Sequence, residues 1–377
     1  WQQLTKGTTN TLYSIFSFDC EKAIAVGRNS ILKTTDSGLN WLNKNPLQGS
    51  YYFLDVFFFD ENIGWICCDD GLVIKTEDGG ETWSSQYCYT SSDLRSICFI
   101  NDSVGLTCGD FGEVYRTVNK GNDWYKILQL PYQDNLSNID FINEENGWIS
   151  GDGVVLATHD GGVNWEELPA PSSARFNCID FVSVDEGYIV GEGGLVYQTQ
   201  DGGESWMEQQ SGTMNELYSI QCFDENNYWI CGDQIILYSY NKGVTWIDQP
   251  ISSTSTFFDI HFADIDCGWT VGYRGNIWYT ENGGIVGVEE SQVEEIIFNV
   301  YPNPFNTSII IQISQIDTPF ALEFYNSIGQ LLNVIEFSGC LSDRCQIDWN
   351  YFGNEKGIIY CHLKSKEFNK VVKMICI

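Results

Sequence analysis

The chain has 377 residues and a formal net charge of −32 at pH 7, because 51 Asp and Glu residues outnumber 19 Lys and Arg residues. A surface this acidic repels phosphate groups, which excludes nucleic acid and anionic membrane surfaces as partners. The sequence contains no apolar run of about 18 residues, so no membrane-spanning helix is expected.

Tryptophans recur along the first three quarters of the chain at intervals of 40 to 42 residues, namely Trp41, Trp83, Trp124, Trp165, Trp206 and Trp246. Each is preceded by three short runs that are rich in β-branched and aromatic residues and are bounded by Gly, Asp and Asn. Such runs predict strands. Four strands in a unit of about 40 residues are typical of the blade of a β-propeller.

The number of blades follows from the two ends of the array. A seventh unit, which includes Ile260, has the first three predicted strands, but its turn is followed by Ile-Val-Gly where the fourth strand, with the repeated tryptophan, should be. The segment Trp1–Leu4 precedes the first unit, and Trp1 lies 40 residues before Trp41. The sequence therefore predicts an all-β fold in which residues 1–284 form a seven-bladed propeller. Its N-terminal strand would complete the last blade and remove two open sheet edges.

An Asp or Asn with a Gly one or two positions later marks a turn before each of the six repeated tryptophans and at the end of the seventh unit. Asp and Asn accept hydrogen bonds from amides of their own turn, and Gly adopts the positive φ of a tight turn. We therefore predict a structural role, not a catalytic one, for Asp36, Asp78, Asn119, Asp160, Asp201, Asn241 and Asn282.

The turn segments, such as the one from Asp78 to Trp83, resemble the Asp-box, or bacterial neuraminidase repeat. The complete unit is similar to that of seven-bladed propellers related to the photosystem II stability/assembly factor. This resemblance covers residues 1–284 and implies the fold. It leaves the function open, because the same architecture serves sialidases, xyloglucan-degrading enzymes, receptors and assembly factors.

The repeat ends before residue 285. Residues 285–296 are acidic and free of Gly from Val288 onward, which is typical of a linker. Residues 297–377 contain about seven short alternating runs, which predict a small immunoglobulin-like antiparallel β-sandwich.

Three motifs in this second domain resemble the type A C-terminal sorting domain of the type IX secretion system. Their landmark residues are Tyr301, Pro302, Asn303, Pro304, Gly329 and Lys373. The resemblance implies contact with the secretion machinery through residues 297–377. It also implies a secreted or outer-surface location in a Gram-negative, Bacteroidota-like bacterium. An ordinary immunoglobulin-like accessory domain is the alternative.

Most of the 14 cysteines lie within predicted strands, where a free Cys acts as a small buried apolar residue. No paired C-x-x-C spacing occurs, so a zinc site is not expected. Cys340 and Cys345 flank a short loop, and we hypothesise that they pair in an oxidising compartment.

The innermost strand of each blade should line a central channel, with side chains alternating in direction. Polar residues at these positions include the carboxylates Asp55, Asp140, Asp180 and Asp259. Two such groups at a suitable separation would serve a glycoside hydrolase, so they are candidate catalytic residues. A polar lining is also what a water-filled channel requires.

A second set follows the second strand of each blade. Five successive blades carry a carboxylate at this rim position, and the full set is Arg28, Asp69, Asp110, Asp152, Glu192, Asp233 and Tyr273. This pattern indicates either a rim that binds a ligand, with calcium or a polyhydroxyl compound possible, or ordinary turn chemistry. No other cofactor is expected.

Catalysis has little support in the sequence. The chain has three histidines, no Ser-His-Asp constellation, and too regular a repeat to hold an inserted catalytic loop. The arginine motif of sialidases is absent. We therefore expect a secreted, non-catalytic propeller that binds a glycan or protein partner on one face. The alternative is an extracellular glycoside hydrolase that uses paired channel carboxylates.

Overall fold

In a computed structural model the chain divides into two units, Trp1–Val286 and Gly287–Ile377. The structure describes residues 1–4, 7–132, 134–224, 226–251, 254–284, 298–301, 308–316, 320–326, 331–337, 341–348, 357–365 and 369–376. The predicted linker, residues 285–296, lies outside them. No helix among these residues is long and apolar enough to cross a membrane.

The first unit consists of seven four-stranded antiparallel sheets, which confirms the predicted seven-bladed propeller. The inner strands are β2 (Leu12–Ser17), β6 (Phe53–Phe58), β10 (Leu94–Phe99), β14 (Leu136–Phe141), β18 (Phe176–Phe181), β22 (Leu217–Cys222) and β26 (Phe257–Phe262). The second strands are β3 (Ala23–Gly27), β7 (Gly64–Cys68), β11 (Gly105–Gly109), β15 (Gly147–Gly151), β19 (Gly187–Gly191), β23 (Tyr228–Gly232) and β27 (Gly268–Gly272).

The third strand of each sheet is buried almost throughout, whereas the outer strand is mostly exposed. The third strands are β4 (Ser30–Thr34), β8 (Leu72–Thr76), β12 (Glu113–Thr117), β16 (Val155–Thr158), β20 (Val196–Thr199), β24 (Ile235–Ser239) and β28 (Ile277–Thr280). The outer strands are β5 (Leu42–Asn43), β9 (Ser84–Tyr87), β13 (Tyr125–Gln129), β17 (Glu166–Leu168), β21 (Met207–Gln209), β25 (Ile247–Asp248) and β1 (Gln2–Gln3).

The N-terminal strand β1 belongs to the seventh sheet. It pairs antiparallel with β28, with Gln2 opposite Tyr279. The ring of Trp1 meets Phe262 edge to face, with centroids 5.8 Å apart. Four tryptophans that follow the turns make the same contact in their own blades, namely Trp83, Trp124, Trp165 and Trp206, as Trp124 does with Phe99 at 5.9 Å. Trp1 thus performs in the last blade the role of the repeated tryptophan.

Stacked aromatic rings join the second blade to the third, the fourth to the fifth and the sixth to the seventh. Trp148 of the fourth blade stacks on Phe181 of the fifth at a centroid distance of 3.6 Å, and its indole N–H donates to the carbonyl of Gly202 in the next Asp-Gly turn. The start of the second strand must be small for the ring to lie so close. A Cβ at Gly187 would lie 2.5 Å from the Phe181 ring, which leaves room only for glycine.

The Asp-Gly turns are closed by side-chain hydrogen bonds. In the second blade Asp78 accepts bonds from the Thr76 hydroxyl (2.9 Å) and the Thr82 amide (2.8 Å), while Gly80 donates its N–H to Thr76 (2.8 Å). The chain turns at Gly79 and Gly80 with φ of 69° and 83°, which favours glycine. Asp78 here satisfies the backbone of its own turn.

A disulfide crosses the junction between the seventh and first blades. Cys20 and Cys267 lie in equivalent loops after the inner strands of these blades and are bonded across a sequence separation of 247 residues. The hydroxyl of Tyr279 also donates to the carbonyl of Cys20 at 3.1 Å. The junction that closes the ring is therefore covalently joined. The sequence analysis did not identify this pair, and Cys340 of the hypothesised pair lies outside the described residues.

The second unit contains two antiparallel sheets. One has the order β29 (Phe298–Tyr301), β30 (Ser308–Ile316) and β33 (Leu341–Asp348). The other has the order β32 (Leu331–Phe337), β31 (Phe320–Asn326), β34 (Gly357–Ser365) and β35 (Asn369–Cys376). An immunoglobulin-like arrangement of these sheets stays a prediction. Tyr301 ends β29 and Lys373 lies in β35, whereas Pro302, Asn303, Pro304 and Gly329 fall outside the described residues.

The disulfide leads to a prediction about stability. Replacing both cysteines, as Cys20→Ser with Cys267→Ser, should lower the free energy of unfolding by about 2–5 kcal/mol, because the unfolded chain loses a very long closed loop. Thermal melts of both proteins with and without dithiothreitol measure this. The reductant should lower the Tm of the parent and leave the Tm of the double variant unchanged. An equal effect of the reductant on both would contradict the assignment.

Candidate functional site: the central channel

A β-bulge at the start of every inner strand shapes the entrance of the channel. In the first blade Leu12 pairs with Gly27 and Ser14 pairs with Val26, which leaves Tyr13 as the extra residue, and all seven blades repeat this shift. Bulges turn a side chain away from its regular direction. We call the seven bulged residues the mouth ring: Tyr13, Leu54, Arg95, Ser137, Asn177, Tyr218 and Phe258.

The mouth ring lines a cavity of about 340 Å³ at the end of the propeller where second and third strands are joined. This end is the mouth face. One side of the ring is aromatic, since Phe258 lies 5.0 Å from Tyr218 and 5.8 Å from Tyr13 between ring centroids. The opposite side carries hydrogen-bonding groups, from Arg95, Ser137 and Asn177. The cavity therefore offers an apolar surface facing a row of polar donors.

Two arginines at the mouth are held by acidic partners. Arg95 pairs with Asp110, and Arg175 pairs with Glu216, while each guanidinium side chain stays nearly half exposed. Glu216 also accepts bonds from Asn177 and Tyr218. Burial raises the pKa of Glu216, but these bonds outweigh it and leave that pKa below its ordinary value. The arginines are thus oriented and still accessible to a ligand.

The predicted rim residues surround this entrance without converging on one point. Asp152 lines the mouth cavity and accepts a bond from Asn135 (3.1 Å). Asp69 and Asp233 accept bonds from the Tyr52 amide (3.1 Å) and the Thr256 hydroxyl (2.8 Å) of the loops beside them. Glu192 and Tyr273 begin single 3₁₀ turns, and Arg28 lies over the ring of Tyr52.

No rim carboxylates are grouped as a divalent cation would require. Within the described residues, three potential ligand atoms lie within 4.8 Å of one another only at Cys20, Asp264 and Cys267. Two of these are the disulfide cysteines. A calcium site at the rim therefore has no geometric support in this part of the chain.

Below the mouth ring, a layer of polar side chains joins each blade to the next. This upper layer is Ser14, Asp55, Ser96, Asn138, Cys178, Ser219 and Asp259. Asp55 accepts the Ile97 amide of the following blade at 2.9 Å, and Asn138 accepts the Ile179 amide at 3.0 Å. Asp259 accepts the Ile15 amide at 2.9 Å across the closing junction.

A lower layer repeats the arrangement two residues further along each strand. It comprises Phe16, Phe57, Cys98, Asp140, Asp180, Gln221 and His261. Asp140 accepts the Phe181 amide at 3.0 Å, and Asp180 accepts the Cys222 amide. His261 accepts the Ser17 amide on Nδ1 at 3.2 Å, so the proton of the neutral ring lies on Nε2. All four predicted catalytic carboxylates thus bond to the backbone of a neighbouring blade.

Burial shifts the titration of these groups. It raises the pKa of Asp140 to about 6 and, together with the neighbouring Asp55 carboxylate, that of Asp259 to about 7. The pKa of Asp180 is raised well above its ordinary value by burial and by the nearby Asp140. Burial lowers the pKa of His261 to about 4, so this ring is neutral at pH 7.

The sequence located the upper and lower layers but missed the mouth ring. Strand alternation places Ser14 and Phe16 on the channel side and would turn Tyr13 into the sheet. The bulge overrides this alternation. No turn residue or glycine within the strand marks the bulge. The one signal in the sequence is that the residue between two buried positions varies widely among the blades.

The raised pKa values predict how stability depends on pH. A carboxyl group whose pKa is higher in the folded protein stabilises the fold while protonated, and this contribution is lost as pH rises through the folded pKa. The contribution of Asp259 to the free energy of unfolding should therefore fall between about pH 4 and pH 7, by roughly 1.4 kcal/mol for each pH unit. Asp259→Asn should reduce this fall. The exposed Asp248→Asn serves as control, and equal slopes for both variants in urea titrations would contradict the prediction.

Comparisons with known families place the two units separately. Residues 1–129, 117–210 and 168–254 match the family model described as photosynthesis system II assembly factor YCF48. Residues 299–377 match the model of a secretion system C-terminal sorting domain. The second match confirms the predicted sorting domain, so the chain is a secreted or cell-surface protein of a Bacteroidota-type bacterium.

Curated relatives align with the propeller. The photosystem II assembly lipoprotein Ycf48 of Synechococcus sp. is 23% identical over 213 residues, which cover 54% of this chain and 63% of that protein. The photosystem II assembly protein Ycf48 of Thermosynechococcus vestitus is 28% identical over 262 residues, covering 66% and 74%. This chain therefore spans less than two thirds of the first of these relatives.

A solved structure, YCF48 bound to D1 peptide, superposes with a TM-score of 0.64 at 21% identity and covers 75% of this chain and 96% of that one. At this identity the likeness shows the fold alone. The family model, by contrast, matches more than half of the sequence. The chain thus belongs to the YCF48 family of photosynthesis system II assembly factors.

Proposed function

We propose that this protein is a secreted, non-catalytic propeller that binds an exposed segment of a partner protein at its mouth face. The observation that carries the proposal is the mouth ring, in which seven bulges direct side chains of six residue types into one cavity. Repeats keep structural positions alike, whereas this position holds aromatic, aliphatic, cationic and amide side chains. Such variety suits one asymmetric ligand.

The chemistry of the cavity suits a peptide. The aromatic side, with Tyr13, Tyr218 and Phe258, offers area for apolar side chains. The guanidinium groups of Arg95 and Arg175 and the amide of Asn177 can donate to peptide carbonyl or carboxylate oxygens. Four of the five arginines in residues 1–284 lie on this face, although the unit is strongly acidic: Arg28, Arg95, Arg175 and Arg274.

The solved structure described as YCF48 bound to D1 peptide supports the same class of ligand. A glycan is the second candidate, because exposed aromatic rings also stack on sugar rings. A secreted or cell-surface protein would meet either partner outside the cell.

The glycoside hydrolase alternative draws less support from the channel. A catalytic pair needs one carboxyl group free to protonate the leaving oxygen and another free to act on the sugar or on water. Asp55 instead accepts bonds from the Ser14 and Ser96 hydroxyls and from two amides. We therefore assign the channel carboxylates a structural role in joining the blades.

Arrays of peptides and polysaccharides probed with the full chain test the proposal. We expect binding without release of reducing sugar. For the best ligand, Tyr218→Ala and Arg175→Ala should each weaken the affinity at least about tenfold, because central aromatic and arginine residues carry most of the binding energy at interfaces.

Lys120→Ala is the matched control, since Lys120 pairs with Asp102 at the opposite end of the propeller. It should leave the affinity unchanged. Sugar release that is lost in Asp140→Asn would overturn the non-catalytic assignment. Binding that withstands both mouth variants would overturn the mouth face as the site.

A further inference from the structure

Below the mouth the channel continues into a lower cavity, which is lined by the upper and lower layers. It has a volume of about 290 Å³ and lies between the inner strands of all seven blades. Its walls differ in character. The first and second blades contribute the rings of Phe16 and Phe57, whose centroids are 6.3 Å apart, and the fourth and fifth blades contribute Asp140 and Asp180.

The charge of this cavity is unbalanced. Four carboxyl groups line it, those of Asp55, Asp140, Asp180 and Asp259, and its lining residues include no Lys or Arg. His261 supplies no compensating charge, because its Nδ1 accepts the Ser17 amide and the ring is neutral. Buried carboxylates without a cation nearby are costly. The cavity must hold protons or attract a cation.

The kind of cation follows from the walls. A divalent metal needs several oxygen ligands converging on one point, and in the described residues no three ligand atoms of His, Cys, Asp or Glu lie within 4.8 Å of one another in the channel. An organic ammonium group is satisfied by fewer contacts and is also attracted to the faces of aromatic rings. The Phe16 and Phe57 wall offers such faces, and it also packs against an alkyl chain.

We propose that the lower cavity binds an alkylammonium group, with the ammonium at Asp140 and Asp180 and the alkyl chain against Phe16 and Phe57. The group can belong to a free amine or to a lysine side chain of another protein. Each carboxylate remains fixed by an amide of the next blade, since Asp140 holds Phe181 and Asp180 holds Cys222. The site is therefore organised before the ligand arrives.

Binding should release protons. The titratable groups facing Asp140 and Asp180 across the channel are Asp55, Asp259, His261, Cys98, Cys178 and Cys222. Among these, the carboxyl groups hold protons in the empty cavity at mildly acidic pH, and an ammonium ion favours their ionised form. Affinity for the ammonium ion should therefore rise between pH 5 and pH 8.

Isothermal titration calorimetry of the full chain with n-butylammonium and with the peptide acetyl-Gly-Lys-Gly-amide tests this. We expect saturable binding of at least one probe at pH 7.5. Binding by butylammonium alone identifies a free amine as the ligand class, and binding by the peptide identifies a lysine side chain. Absence of binding by both probes at 10 mM would overturn the proposal, as would calcium binding in the channel in their place.

Asp140→Asn with Asp180→Asn should weaken binding of the probe at least about tenfold, because the amides keep the backbone bonds but not the charge. Glu208→Gln with Asp248→Asn removes two exposed charges and should change nothing. Phe57→Leu should weaken binding less than the double Asn variant does. Unchanged affinity in a folded double Asn variant would overturn the site.

A measurement on the parent protein tests the same assignment without relying on the folding of a variant. Titrations of the probe at pH 6.5 in two buffers of different ionisation enthalpy report the protons exchanged. Proton release on binding supports the assignment. A heat of binding that is the same in both buffers would mean that no protons are exchanged, which would contradict binding of the ammonium group at Asp140 and Asp180.

Discussion

The packing of the second strand of one blade against the inner strand of the next is the contact on which the rest of this propeller depends. In the second blade this strand places the ring of Trp65 on the inner-strand ring of Phe99 in the third blade. That phenylalanine in turn meets Trp124, which follows the turn of its own blade. Every pair of neighbouring blades buries an apolar cluster between them, so seven units that are too small to fold alone stabilise one another.

This contact also explains the spacing of glycines in the sequence. A ring can lie flat against the second strand only where no side chain intervenes, and Gly105 and Gly147 begin such strands beside Phe99 and Phe141. The Asp-Gly turns then hold the tryptophan at a fixed distance from the same rings. The regular intervals of the repeat are therefore a consequence of packing geometry.

The sequence predicted the architecture well because packing repeats every 40 residues or so. The blade count and the place of Trp1 followed from spacing alone. The candidate site was predicted only in part. Asp140 and Asp180 could be placed in the channel by alternation, but Tyr13 and Phe258 could not be placed in the mouth, because a bulge reverses the direction of one side chain without a local marker. The Cys20–Cys267 disulfide could not be predicted either, because the two cysteines come together only when the first and last blades meet and close the ring.

The residues at the two ends of the channel have different roles. At the mouth face the backbone bulges release side chains from structural duty, so residues there can differ from blade to blade. Deeper in the channel the side chains also differ among blades, but the carboxyl and amide groups there accept backbone N–H groups of the next blade, as Asp55, Asn138 and Asp140 do. These residues therefore join the blades as well as line the channel.

The disulfide between the first and last blades affects how the protein resists extracellular proteases. A protease that cuts one surface loop between residues 20 and 267 opens the chain but separates nothing, because the two pieces stay tethered through the sulfur atoms and through the paired strands on either side of the cut. A second cut is needed to free a fragment. The ring thereby tolerates nicking that would divide a linear array of the same blades.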